Sequence, residues 1–309
     1  MTETKHRLVT RADFDGVVCG ALLMEKGLVS NIVFAHPRDL QNQTFPVTDN
    51  DIIANLPYAE GAHLCFDHHV SETYRTGDHG NLVLDPDSPS TARVIYKHYG
   101  GSATFPDIAE DLLTAVDKAD SADFDIEEIL IPEDWVLLNF ILDPRTGLEA
   151  FKDFDLSRDD FLIELINFCR RNPVEEIIHH PDVEERLSTY LFNNEFAELQ
   201  ISRCSRVHGT TVITDYRKEE TKYPGNRFMT YALYPETSLS IQISDMPSGL
   251  VELAVGKSII DRSSPVNIGQ LMLNYGGGGH AAAGTCQVES DKVDQVIEEL
   301  LAYIDAQNA

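Results

Sequence analysis

Three short stretches bring carboxylates and imidazoles together at spacings that suit a metal-assisted reaction. RADFDG offers Asp13 and Asp15, FDHH offers Asp67, His68 and His69, and AVDKAD offers Asp117 and Asp120. Mixed carboxylate and imidazole donors suit a hard divalent cation that tolerates some nitrogen, such as Mn²⁺. Asp13 and Asp15 follow the apolar run HRLVT, and residues two apart on an extended strand end point the same way, so both can face one site. Gly16 permits a tight turn into the helix that follows. Helix capping explains one aspartate there but leaves the second without a role. Asp117 and Asp120, taken alone, read as a solvated acidic turn at a helix end. His179-His180 in EEIIHHPD serves as a control: it is a histidine pair too, but its neighbours place it on a surface at a helix end.

The elements that must position these groups are legible as apolar patterns. HRLVT, NIVFA, DIIANL and AHLCF read as strands, and GVVCGALLMEKG and STARVIYKHYG as helices. Continuous rather than alternating apolar runs suit parallel strands covered on both faces. The expectation is an α/β fold of two domains. An N-terminal parallel-sheet domain with a helical extension spans residues 1–185, a linker helix 186–200, and a smaller C-terminal α/β domain 201–309. In the last of these RVHGTTVITDY, FMTYALYP, SLSIQIS and LVELAVGKS read as strands, followed by the glycine-rich YGGGGHAAAG and a final helix. Ligands of open α/β sheets gather beyond the carboxyl ends of the strands, where RADFDG and DHH both fall.

Composition narrows the partners. The 309 residues carry a formal charge of −27 and no basic tract, which disfavours duplex DNA and anionic membrane surfaces. A phosphate substrate stays compatible if cations are gathered locally. Five scattered cysteines without a CxxC pair, and no apolar N-terminal segment, point to a reducing, cytoplasmic setting.

RADFDG, FDHHVSE, AVDKADSADF and GGGGHAAAG, in this order, resemble the DHH superfamily of phosphoesterases with its DHH-associated C-terminal domain. RxDFDG, DHHxSE, AVDKADSA and YGGGGHxAAGTCQV look most like its exopolyphosphatase-like branch. The resemblance implies a metal-dependent phosphohydrolase using one or two Mn²⁺ or Mg²⁺ ions to cleave a phosphoanhydride or phosphodiester. Implied alternatives are a nano-RNA, pAp or cyclic-dinucleotide phosphodiesterase, or a non-catalytic phosphate or nucleotide sensor. The substrate would be a small or linear phosphate compound: polyphosphate, a short oligonucleotide or a nucleotide. Self-association as a homodimer stays open.

The resemblance also distributes roles. Asp13 matches a ligand of the first metal, Asp15 and His68 ligands of the second, and Asp120 or Asp117 the aspartate of the fourth motif. His69 matches the histidine at the scissile phosphate, with Asp67 orienting an imidazole. Arg227, Arg262, Ser263, the run Gly277, Gly278 and Gly279, and His280 match the substrate-holding face of the C-terminal domain. Two positions depart from the pattern. Arg11 stands where the first motif has histidine, and Asn55 in DIIANL where a bridging aspartate is expected, with Asp39 in HPRD the alternative counterpart. Arginine has no lone pair for a metal, but its fork can do a metal's electrostatic work on a phosphate. The expectation is a one-metal site in which Arg11 replaces the other cation.

Overall fold

The computed structural model describes residues 5–308. Strand β1 (His6–Thr10) lies inside a five-stranded sheet with β2 (Val29–Phe34), β3 (Asp51–Ala54), β4 (Leu64–Asp67) and β5 (Leu82–Leu84). The order is β2-β1-β3-β4-β5, and every neighbouring pair runs parallel. Leu8, Val9, Ile52, Ile53, Cys65 and Phe66 are fully or almost fully buried, as strands covered on both faces require. The edge strand β5 is not evident from the sequence because LVL is only three residues long and half-buried throughout.

The helices of this unit are α1 (Phe14–Glu25), α2 (Pro37–Gln41), α3 (Val70–Arg75), α4 (Thr91–His98) and α5 (Glu110–Asp120), then, after α6 (Ile126–Leu130), α7 (Asp134–Leu142), α8 (Arg158–Cys169) and α9 (Val174–Ile177). Helix α1 is buried on nearly all sides, which fits its continuous apolar run. Gly20 lets it approach Ile166 of α8, since a Cβ there would meet the Ile166 side chain at 2.7 Å.

Two compact units divide the chain: residues up to Asp123 with Pro132–Thr189, and Phe124–Ile131 with the chain from Tyr190 onward. The division falls within one continuous helix, α10 (Pro181–Cys204). The sequence pattern places Phe124–Ile131 in the first domain. It groups with the second because Phe124 packs its ring 5.6 Å from that of Phe228 and the Asn226 side chain donates to the Ile129 carbonyl at 2.9 Å.

The second unit holds a six-stranded mixed sheet of β6 (Ser205–His208), β7 (Thr211–Asp215), β8 (Leu239–Asp245), β9 (Leu250–Lys257), β10 (Gly278–His280) and β11 (Ala283–Glu289). Its order is β10-β11-β9-β8-β7-β6, and only β7 with β8 pair in parallel. Ile241, Ile243, Val251 and Leu253 share a core with Leu300 and Ile304 of the terminal helix α13 (Val293–Asn308) and with Ile268 and Met272 of α12 (Ile268–Leu273). FMTYALYP, read as a strand, contains helix α11 (Met229–Leu233); Met229, Thr230, Tyr231 and Ala232 are all buried, so no helical stripe is visible in the sequence. RVHGTTVITDY is a hairpin, β6 to β7, rather than one strand. Among the described residues no helix is long and apolar enough to cross a membrane.

Candidate active site

Asp13 and Asp15 are not on the end of β1. The strand stops at Thr10, Asp13 is the N-cap of α1, and Asp15 lies in that helix's first turn. Their convergence comes from the strand-to-helix turn, not from strand alternation. Gly16 is needed at this turn, because a Cβ would meet the Arg11 carbonyl oxygen at 1.9 Å.

The Asp13 carboxylate is surrounded by donors. Its Oδ1 accepts from Gly16 N and from Asn55 Nδ2, both at 3.0 Å, while Arg11 Nε stands 2.9 Å from Oδ2. Burial raises its pKa, and the Arg11 charge offsets part of that rise. Asn55 follows β3 with φ of +57°, and its side chain is buried with Oδ1 lacking a hydrogen-bond partner among the described residues. Asparagine is one of the few residues that adopt this left-handed backbone readily.

Asp15 is almost completely buried and faces the start of α4. Thr91 N donates to its Oδ2 at 3.0 Å and Ala92 N to its Oδ1 at 2.8 Å. Burial, reinforced by the neighbouring Asp120 charge, pushes its pKa up to about 7. The segment DSPS ahead of STARVIY carried the cue for this contact: Ser90 caps α4 by accepting from Arg93 N at 3.0 Å.

His68 and His69 follow β4 directly. His68 Nδ1 lies 3.2 Å from the Ser88 carbonyl, which fixes the proton on Nδ1 in the neutral ring and leaves the Nε2 lone pair directed at Asp120. Nε2 stands 2.8 Å from Asp120 Oδ2, yet no hydrogen bond is aligned between them. Burial opposes charge on this imidazole, but Asp120 and Asp15 outweigh it and push the pKa up to about 9. His69 Nδ1 is 2.7 Å from Asp67 Oδ1, and the same oxygen accepts the backbone N–H groups of His68 and His69 at 2.8 and 3.2 Å. Burial again opposes the charged ring, and Asp67 more than compensates, so the His69 pKa is raised. The control pair meets its surface expectation only in part: His179 is mostly exposed beside Glu184, but the His180 ring packs 4.1 Å from that of Phe168 and its Nδ1 is buried without a hydrogen-bond partner among the described residues.

Asp15, His68 and Asp120 each aim one ligand atom into a space where all three atoms lie within 4.8 Å of one another. Asp117, the other candidate on α5, is engaged elsewhere. Ser90 Oγ donates to it at 2.6 Å, and Arg93 grips it through Nε at 2.7 Å and Nη2 at 2.6 Å. The buried, unaligned His68 Nε2 among crowded carboxylates is what a divalent cation would complete, and two carboxylates with one imidazole fit Mn²⁺ or Mg²⁺.

The candidates of the second unit have their own surroundings. Arg227 lies over the Phe228 ring at 4.1 Å, Arg262 Nε donates to the Ile259 carbonyl at 3.1 Å, and Ser263 N donates to Asp261 Oδ1 at 3.0 Å. The glycine run is a hairpin edge, with Gly278 to His280 forming β10 against β11. Gly277 and Gly279 are sterically required: a Cβ on either would meet a β11 carbonyl oxygen at 2.1 or 2.2 Å. Gly278 faces open space and His280 is exposed.

No protein-family model and no curated protein matches the chain. Among solved structures, a pGpG-specific phosphodiesterase, PggH from Vibrio cholerae, is 46% identical, covering 98% of this chain and all of that one with a TM-score of 0.89. The chain belongs to the DHH superfamily of phosphoesterases. Its fold is also that of RecJ from Thermus thermophilus in complex with Mn²⁺ (12% identity, 97% of this chain and 52% of that one, TM-score 0.54) and of an exonuclease RecJ bound to manganese (11%, 97% and 90%, 0.51). The DHH chain is by class a phosphoric ester hydrolase. The likeness supports a DHH phosphodiesterase and gives no particular support to the exopolyphosphatase expected from the sequence; the phosphodiesterase alternative fits better.

Proposed function

We propose that this DHH phosphoesterase is a divalent-cation-dependent phosphodiesterase that hydrolyses short 5′-phosphorylated dinucleotides, with pGpG its main substrate. The observation that carries the reading is the grouping of Asp15, His68 and Asp120, whose ligand atoms lie within 4.8 Å of one another, in a chain alike over nearly its whole length to a pGpG-specific enzyme. Hydrolysis of the one phosphodiester in pGpG consumes a water and gives two GMP.

Asp15, His68 and Asp120 would hold the cation, which when bound supplies positive charge to the phosphate and lowers the pKa of a water. Arg11 directs Nε toward Asp13, and its guanidinium fork suits the non-bridging phosphate oxygens. Asp13 acts through Arg11: held by Gly16 and Asn55, its carboxylate keeps the guanidinium in place. Arg11 Nε stands 2.9 Å from Asp13 Oδ2, so its charge already compensates that carboxylate, which favours one cation rather than two. Asp67 orients His69 by accepting at Nδ1, so that Nε2 can give a proton to the leaving ribose oxygen. Arg227, Arg262, Ser263, Gly278 and His280 are proposed to hold the rest of the substrate.

The test is product analysis with Mn²⁺ on pGpG, pApA, pAp, a cyclic dinucleotide and polyphosphate, with His68→Ala as control. Conversion of pGpG to GMP, abolished in the variant, supports the reading. Turnover of polyphosphate alone would overturn it.

A further inference from the structure

Beside Arg11 the first unit carries a cleft of about 540 Å³ that none of the roles above uses. It lies beyond the carboxyl end of β2, and Phe34, Pro37, Phe45 and Pro144 are among its lining residues. Most charges on its rim are neutralised. Arg145 forks onto Asp143 through Nε and Nη2, both at 2.7 Å. Arg158 pairs with Glu149 and donates to the carbonyls of Ala12 and Leu142. Against that background the carboxylates of Asp39 and Asp159 line the cleft without a hydrogen-bond or ion-pair partner among the described residues.

His36 and Asp39 stand three residues apart at the start of α2, and both line the cleft. Residues so spaced share a helix face. His36 Nδ1 accepts the backbone N–H of Arg38 at 3.1 Å, so in the neutral ring the proton is on Nε2, making that atom a donor. The cleft is therefore lined by apolar side chains together with one exposed imidazole donor and one exposed carboxylate acceptor.

We infer that this cleft is a base subsite that selects guanine. Guanine's O6 acceptor lies next to two donors, N1–H and N2–H₂, which match the two oxygens of a single carboxylate. Adenine offers one donor on that edge and leaves a carboxylate oxygen unmatched. Phe34 and Phe45 supply apolar and aromatic surface for the base face. Arg11, shared by the cleft and the Asp13 contact, places the base subsite next to the phosphate.

The inference rests on the dinucleotide reading above, and its test separates the two. Measured on folded full-length protein, kcat/KM for pGpG over pApA falls roughly ten- to hundredfold in Asp39→Asn, through KM. In parallel, GMP binds more tightly than AMP by calorimetry, and Asp39→Asn and His36→Ala each remove that preference. If wild type hydrolyses no dinucleotide, the proposed function fails, and the GMP-over-AMP preference still decides the base subsite. An unchanged preference in both variants overturns the subsite.

Discussion

The Nε2 of His68 and Oδ2 of Asp120 stand 2.8 Å apart with no hydrogen bond aligned between them. A ring nitrogen and a carboxylate oxygen this close, with an Asp15 oxygen within 4.8 Å of both, form the one group of ligand atoms among the described residues that could hold a cation. That relationship separates two aspartates that the sequence leaves equivalent.

Asp120→Asn is expected to weaken Mn²⁺ binding at least about tenfold while leaving the fold intact. Asp117→Asn should do the reverse. It leaves Arg93 without its bidentate partner and costs about 1–3 kcal/mol of stability, with Mn²⁺ binding kept. Urea unfolding and Mn²⁺ titration of both variants check the exchange of roles.

Away from the site, Asp51 fixes the start of β3. Arg7 reaches it through Nε and Nη2, both at 2.7 Å, and Thr48 N donates at 2.7 Å. Burial opposes its charge, but these donors outweigh burial and lower its pKa. A lowered native pKa gives stability that is present above the unfolded value of about 3.9 and lost as pH falls through the native one. Asp51→Asn weakens these charge-assisted hydrogen bonds and should cost about 1.5–3 kcal/mol at pH 7. The gap from wild type should close as pH drops below about 4. Denaturant unfolding across pH 3–7 measures it.

Glu72 of the DHHVSE stretch is buried, accepts the Tyr58 N–H at 3.1 Å and pairs with Arg75 at 2.7 Å. It ties α3, whose N-cap is His69, to the loop that follows Asn55. Glu72→Gln keeps the shape but weakens both contacts. The expected result is a loss of about 1–2 kcal/mol and a lower kcat with little change in KM, read from unfolding curves and steady-state rates.

In the second unit, Gly279 has φ of +153°, and a Cβ there would meet Ala283 O at 2.2 Å, while Gly278 meets nothing within 4 Å. Gly279→Ala should destabilise by about 2 kcal/mol or more. Gly278→Ala should stay within about 0.5 kcal/mol of wild type, while raising KM for pGpG. A thermal scan with matched kinetics distinguishes a hairpin requirement from a substrate contact.

The stretches that carry the candidate site were legible from residue type and order, but only the His68 stretch follows a strand directly; Asp15 lies in the first turn of α1 and Asp120 ends α5. The choice between Asp117 and Asp120 was not legible, since both lie on one face of α5 and the decision comes from Ser90 and Arg93 on another element. Likewise the alternation argument for Asp13 and Asp15 failed because Gly16 turns the chain into α1 earlier than the apolar run suggests. The cleft formed by His36, Asp39 and Phe45 with the segment around Pro144 has no periodicity to announce it, because loops far apart in sequence build it.

The measurement that bears most directly on the central claim is the Mn²⁺ stoichiometry of purified, folded protein, by equilibrium titration with elemental analysis. One ion per chain, lost in His68→Ala and kept in Arg11→Ala, is the predicted result. Two occupied ions per chain would contradict the replacement of a metal by Arg11.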